Sequence, residues 1–211
     1  YALPEITGKE IKTFRIIGCP GCYPTSVLIP LIPLIKKKYL NLDNIIIDSK
    51  SGYSGAGRNV HKKYKNENLY DSLSAYGIGF HRHNSEIDQL IRKYTKRKFD
   101  FTFTPHLSPM FRGILSTIYV DLEKNKSINS LHKELGNFYK KSFFVKIADK
   151  NSQISTNDVI NTNVCKISIC KSKYKNKAII LSVIDNLIKG GAGQAIQNMN
   201  LKFNFPESKG L

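Results

Sequence analysis

The stretch Gly18-Cys19-Pro20-Gly21-Cys22-Tyr23-Pro24-Thr25, followed at once by the apolar run from Val27 to Ile35, constrains this chain more than any other. A Pro-Gly turn that gives way to an apolar segment of helical length puts the second cysteine at the start of a buried helix. Free amide N–H groups at such a start favour the thiolate. The setting therefore predicts a Cys22 pKa below the ordinary value of about 8.5, and a nucleophilic role. A buried, inert thiol is the competing reading of any single cysteine. The other motifs decide between the two.

A short strand is expected at 14–17, and a helix over 25–40. Thr25 or Ser26 would cap that helix, Lys36, Lys37 and Lys38 would suit its C-terminal end, and Pro30 and Pro33 would kink or break it. A buried strand at 44–48 runs into Ser51-Gly52-Tyr53-Ser54-Gly55-Ala56-Gly57-Arg58. Glycines let backbone amides approach an anion, while hydroxyls and Arg58 add donors and charge, so this loop suits a phosphate or carboxylate. It is neither a P-loop nor a G-x-G-x-x-G fingerprint. Past a polar connection over 59–76, His81-Arg82-His83 leads to a helix cap at Asn84 or Ser85, with Glu86 in the first turn. A histidine with a carboxylate nearby is an arrangement for moving protons.

Strands are expected at 99–104 and 114–122, on either side of Pro105-His106-Leu107-Ser108-Pro109-Met110-Phe111-Arg112-Gly113. A helix over 127–140 and a strand at 143–147 come next, and strands at 164–172 and 177–184 form a closing pair. The last motif, Asp185-Asn186-Leu187-Ile188-Lys189-Gly190-Gly191-Ala192-Gly193-Gln194, opens a helix over 195–201. Its glycines serve either close backbone approach to a ligand or tight packing of helix on sheet, and both readings stay open.

Thirty-three Lys and Arg against 16 Asp and Glu leave a net charge of +17, the sign that suits nucleic acid. The lysines are scattered among Asn and Ile, and no zinc-finger, RNP or helix-turn-helix pattern accompanies them. A solvated basic surface is the better reading, with no nucleic-acid partner. The longest apolar run contains two prolines and falls short of the ~20 residues of a membrane span. The opening residues have neither a basic nor an apolar leader segment, so a cytoplasmic protein without membrane contact is expected. Cys165 and Cys170 alternate with apolar residues as small buried groups do. Cys19 and Cys22 form a C-x-x-C, which allows a dithiol site or, with His81 and His83, a zinc site. A zinc site would leave the glycine loops unexplained, and no metal is expected.

Taken in order, the five motifs around Cys22, Ser51, His83, Arg112 and Asn186 resemble those of the N-acetyl-gamma-glutamyl-phosphate reductase family, relatives of aspartate-semialdehyde dehydrogenase. The resemblance implies an α+β fold: a mixed, largely antiparallel sheet with helices on one face, of the glyceraldehyde-3-phosphate dehydrogenase C-terminal-domain type. Residues 1–17 would be the tail end of an NADP-binding domain that is absent here. Residues 18–184 would be the catalytic and dimerisation domain, and 185–211 a segment returning to the cofactor domain. The implied activity is NADPH-dependent reduction of an acyl phosphate to an aldehyde with release of phosphate, in arginine biosynthesis, by a homo-oligomer. Carried over by motif, Cys22 resembles the nucleophile and His83 the acid/base. Ser51, His81, Glu86 and Arg112 resemble substrate-side residues; Asn186, Gly191, Gly193 and Gln194 resemble NADP(H) contacts. Cys19 departs from the family, which usually has asparagine there.

Overall fold

The computed structural model describes residues 1–57 and 70–211. Arg58 lies outside the described residues, as does most of the polar connection. Seven strands among the described residues build one sheet: β1 (Ile45–Gly52), β2 (Ser74–Ala75), β3 (Phe101–Ser108), β4 (Ile114–Asp121), β5 (Val145–Ile147), β6 (Cys165–Lys171) and β7 (Lys177–Ile184). Their order is β2-β3-β1-β4-β7-β6-β5. The β1–β3 and β5–β6 pairs are parallel and the other pairs antiparallel. This is the expected α+β architecture.

Alternation along β1 shows why one face is covered. Ile45 and Ile47 are buried in the core, whereas Ile46 points the other way and is exposed. The covering layer consists of α2 (Cys22–Lys36), α3 (His83–Thr95) and α4 (Ile128–Phe138), whose buried leucines and isoleucines share one core with β1, β3, β4, β6 and β7. Residues 148–163 cover part of the opposite face through Ile154 and Val159. Ile46 and Tyr119 remain exposed there.

The two prolines do not break α2, which is continuous from Cys22 to Lys36. Pro33 has no N–H to give to the carbonyl of Ile29 four residues earlier, and the Tyr139 hydroxyl donates to that carbonyl at 2.5 Å instead. A hydrogen bond from beyond the helix thus replaces the missing one, and the expected break does not occur. Tyr139→Phe leaves the Ile29 carbonyl buried without that donor, and urea unfolding is expected to show a loss of about 1–3 kcal/mol.

The first residues belong to the same core. Leu3 is fully buried in it, and the Ala2 amide donates to the Gly18 carbonyl at 2.9 Å. Residues Pro4–Thr7 form a single helical turn, α1, and Gly8–Thr13 a tighter one. No strand forms at 14–17. That segment lies beside the last helix, α5 (Gly193–Lys202), where Lys202 Nζ donates to the carbonyls of Lys12 and Phe14, each at 2.7 Å.

Candidate active site

Helix α2 begins at Cys22, three residues before the expected start at Thr25, and neither Thr25 nor Ser26 caps it. Both hydroxyls point back along the chain instead: Thr25 Oγ1 donates to the Gly21 carbonyl and Ser26 Oγ to that of Tyr23, each at 2.9 Å. Gly21 is the N-cap, and its amide donates to Glu86 Oε2 at 2.8 Å. The first turn of α3 thereby holds the first turn of α2.

A cleft of about 300 Å³ opens over this junction, lined among others by Cys22, Ser51, His81, His83 and Asn186. Residues from four of the five motifs, far apart in sequence, are brought together here. Glycine makes the closest approaches possible. A Cβ on Gly21 would lie 2.3 Å from His83 Nε2, and a Cβ on Gly190 2.5 Å from the Cys22 Cβ. The His83 ring therefore rests directly on the N-cap of the cysteine helix, and the C-terminal turn backs the cysteine itself.

Burial pushes the Cys22 thiol up to about 11; the amides of Cys22 and Tyr23 and the nearby Arg82 charge only partly oppose this. The expected lowering is overturned, because desolvation of the thiolate outweighs the helix terminus. His83 is 5 % exposed, and burial, helped by His81 and Arg82, lowers its imidazole to about 3. The resting pair is a protonated thiol and a neutral imidazole.

A stability prediction follows from the histidine. Below about 6.5 the unfolded chain binds a proton that the folded chain refuses down to about 3. Stability from this source is complete above the upper value and is lost as pH falls between the two. Urea unfolding across that window is expected to lose a few kcal/mol, with a flatter acid limb in His83→Asn.

His83 is the first residue of α3 rather than a residue ahead of it, and its amide donates to His81 Nδ1 at 3.2 Å. Glu86 serves Gly21 rather than the imidazole. His83 Nδ1 is buried with no hydrogen-bond partner among the described residues. Tyr23 packs edge-on against both histidine rings, at 5.8 Å from each, and its hydroxyl meets that of Tyr76. Neither tyrosine was singled out from sequence; the position of Tyr23 beside Cys22 was the available signal. Ser51 is buried on the cleft wall, and the turn at Met110–Gly113 braces its loop through hydrogen bonds to Gly52, Tyr53 and Ser54.

Arg112 does not reach this cleft. Its Nη1 donates to Asn161 Oδ1 at 2.7 Å and to the buried Asp185 Oδ2 at 3.3 Å, and it lines a separate depression. Asp185 also accepts from the amides of Asn161, Leu187 and Ile188, which shapes the closing turn. Asn186 does face the cleft, where its Nδ2 donates to Ser54 Oγ at 3.0 Å and its Oδ1 accepts from the Gly113 amide at 2.7 Å. Gly191 is half-buried. Gly193 and Gln194 turn inward: a Cβ on Gly193 would lie 2.5 Å from Asn163 Oδ1, and Gln194 Nε2 donates to Thr25 Oγ1 at 2.8 Å. Tight packing, the alternative reading of this motif, describes those two residues.

Cys19 and Cys22 face different spaces. Asn198 Nδ2 donates to the Cys19 sulfur at 3.4 Å in a second depression beside α5. No group of three His, Cys, Asp or Glu side chains placed to hold a metal occurs among the described residues. No helix among them is long and apolar enough to cross a membrane.

Comparisons with known proteins give the chain's relatives. The chain is 42% identical over its whole length to a probable chloroplastic N-acetyl-gamma-glutamyl-phosphate reductase of Arabidopsis thaliana, and covers 53% of that protein. It is 46% identical to the N-acetyl-gamma-glutamyl-phosphate reductase of Geobacter metallireducens, of which it covers 61%. It thus spans little more than half the length of these relatives. The fold matches that of aspartate semialdehyde dehydrogenase II from Vibrio cholerae with a TM-score of 0.75 at 15% identity, over 96% of this chain and 68% of that one. The model of the semialdehyde dehydrogenase dimerisation domain matches residues 22–186, from the cysteine of the cleft to its asparagine, and the chain belongs to that family.

Proposed function

We propose that this chain carries the catalytic half of an N-acetyl-gamma-glutamyl-phosphate reductase, which reduces the acyl phosphate to N-acetylglutamate semialdehyde with NADPH and releases phosphate, a step of arginine biosynthesis. The observation that carries the reading is the meeting of Cys22 and His83 in one cleft through a glycine contact, in a chain 42–46% identical to reductases of that name.

In this reading the neutral His83 imidazole takes the proton of the Cys22 thiol as the sulfur attacks the acyl carbon. The bond from carbon to the phosphate oxygen breaks, phosphate leaves and a thioester remains on Cys22. Amides at the start of α2 stabilise the oxyanion. When bound, the reduced nicotinamide supplies a hydride to the thioester carbonyl. The His83 imidazolium protonates the oxygen of the reduced carbon, takes that proton back as the carbon–sulfur bond breaks and the aldehyde departs, and returns it to the Cys22 sulfur. Arg82, exposed at the cleft and already favouring the Cys22 thiolate, is better placed than Arg112 to meet the phosphate. Arg112 and Asp185 together hold the turn.

The cleft fits the nicotinamide end of the cofactor in one respect. Asn186 offers polar atoms there, and the Gly190-Gly191 backbone carries no side chain that would cover Cys22. We assign Asn186 and Gly191 to that side, and Gly193 and Gln194 to supporting the turn. The division into an end of a cofactor domain at 1–17, a catalytic domain at 18–184 and a returning segment at 185–211 belongs to the same reading, as does a cytoplasmic or organellar soluble enzyme. A homo-oligomer joined through the partly uncovered sheet face, with Ile46 and Tyr119, is supported by the dimerisation-domain match.

The test uses the full-length enzyme with acyl phosphate and no nucleotide. One phosphate per site is expected in a burst, with an acyl group on Cys22 detected by mass spectrometry of the digested protein. A full burst with an unmodified Cys22 would sink the thioester assignment.

A further inference from the structure

Lys189 is fully buried in the closing turn, one residue before the glycine that packs against Cys22. Its Nζ pairs with Oε1 of Glu5, whose side chain is 2 % exposed, and donates to Gln197 Oε1 at 2.8 Å. Gln197 Nε2 in turn donates to Glu5 Oε1 at 2.9 Å and to Glu207 Oε1 at 2.7 Å, and Asn163 Nδ2 donates to Gln197 Oε1 at 2.9 Å. One ammonium thus ties the closing turn to α1 and to α5.

Stability alone does not call for such a pair. The cost of taking both charges out of water roughly offsets their attraction, and apolar side chains of similar volume often replace a buried ion pair without loss. Nor does the amine meet substrate, since Lys189 does not line the Cys22 cleft. What the pair supplies is direction. The turn carries Gly190 and Gly191 in succession, and glycine backbone has little preference of its own, so the place of the turn depends on its anchors. Lys189 is anchored at Nζ and also at its carbonyl, which accepts from Gln194 Nε2 at 3.2 Å, the same amide that donates to Thr25 in α2. Gly190 follows directly: a Cβ there would lie 2.5 Å from the Cys22 Cβ and 3.0 Å from its Cα.

We propose that Glu5 and Lys189 are positioning residues for the reaction at Cys22, and that their buried ion pair holds the Gly190 backbone against the cysteine. The proposal rests on the reading of Cys22 as the nucleophile.

The test compares Glu5→Gln, Lys189→Met and the double variant in the full-length enzyme, at a temperature where all are folded. Each single change leaves a buried charge without its partner and should lower the melting temperature. The double variant leaves no such charge, and its new amide can take the Gln197 oxygen that Nζ held, so its melting temperature should return to that of the unaltered enzyme. All three should lower kcat roughly tenfold with KM for the acyl phosphate unchanged, because neither residue touches substrate. All three should also speed modification of Cys22 by iodoacetamide at pH 8 roughly tenfold, read on the Cys22 peptide by mass spectrometry, as the loosened turn readmits water to the thiol. The double variant is decisive. A merely structural pair would restore kcat and the alkylation rate together with the melting temperature, and that result overturns the proposal. An unchanged alkylation rate in all three variants overturns it as well. Alkylation needs no substrate, so a full-length enzyme that reduces no acyl phosphate counts against the functional reading, while these rates still decide whether the pair places Gly190.

Discussion

Cys22→Ser in the full-length enzyme is expected to lower turnover by at least about a thousandfold without a change in melting temperature. The substitution exchanges sulfur for oxygen in nearly the same volume, so packing against Gly190 is kept. The chemistry is not kept. Burial already holds the thiol at about 11, and the same desolvation acts on a hydroxyl that ionises far less readily to begin with. An oxygen ester, if one formed, would also be a poorer hydride acceptor than a thioester. Turnover close to that of the unaltered enzyme would show that the sulfur forms no covalent intermediate.

The second large effect comes from a single methyl group. Gly21→Ala places a Cβ 2.3 Å from His83 Nε2, 2.7 Å from Cε1 and 2.9 Å from Cδ2. Backbone strain is not the reason, since Gly21 has φ −63° and ψ 170°, which alanine adopts freely. The imidazole cannot simply step aside, because Tyr23 at 5.8 Å and His81 at 4.7 Å pack edge-on against it. Displacing a reacting group by about 1 Å is expected to cost roughly a hundredfold in turnover. The overpacking itself is expected to cost about 1–3 kcal/mol of stability. Gly136→Ala is the control, because Gly136 lies within α4 with nothing within 4 Å of a new Cβ, and it should stabilise slightly. An unaltered turnover in Gly21→Ala would mean that the position of His83 is not critical.

Local pattern was enough to read some elements and not others. The closing strand at 177–184 was legible because Ala178-Ile179-Ile180-Leu181-Ser182-Val183-Ile184 is a short run rich in β-branched and apolar residues, a property of the segment alone. The start of α2 was misplaced because Thr25 and Ser26, good capping residues by type, bond backwards to carbonyls of their own turn. Its continuity through Pro33 depends on Tyr139, more than a hundred residues away, which no local window contains. The composition of the cleft followed from ordered motifs, yet the ionisation of Cys22 did not. Sequence displays the favourable helix terminus, whereas the opposing burial is set by Gly190 and other distant segments. Arg112 shows the same limit, since its pairing with Asp185 was invisible until β4 and β7 were seen side by side.

Gly190 has a meaning for the growing polypeptide as well. Cys22 is synthesised well before Gly190, and its backing arrives only once the Asp185 carboxylate has gathered the amides of Leu187 and Ile188 and shaped the turn. Until then nothing from that turn packs against the Cα and Cβ of Cys22. A chain without the turn loses part of the desolvation that holds the thiol at about 11, and its Cys22 is expected to ionise and oxidise more readily. The closing turn thus sets the ionisation of Cys22 late, after the cysteine itself has been made.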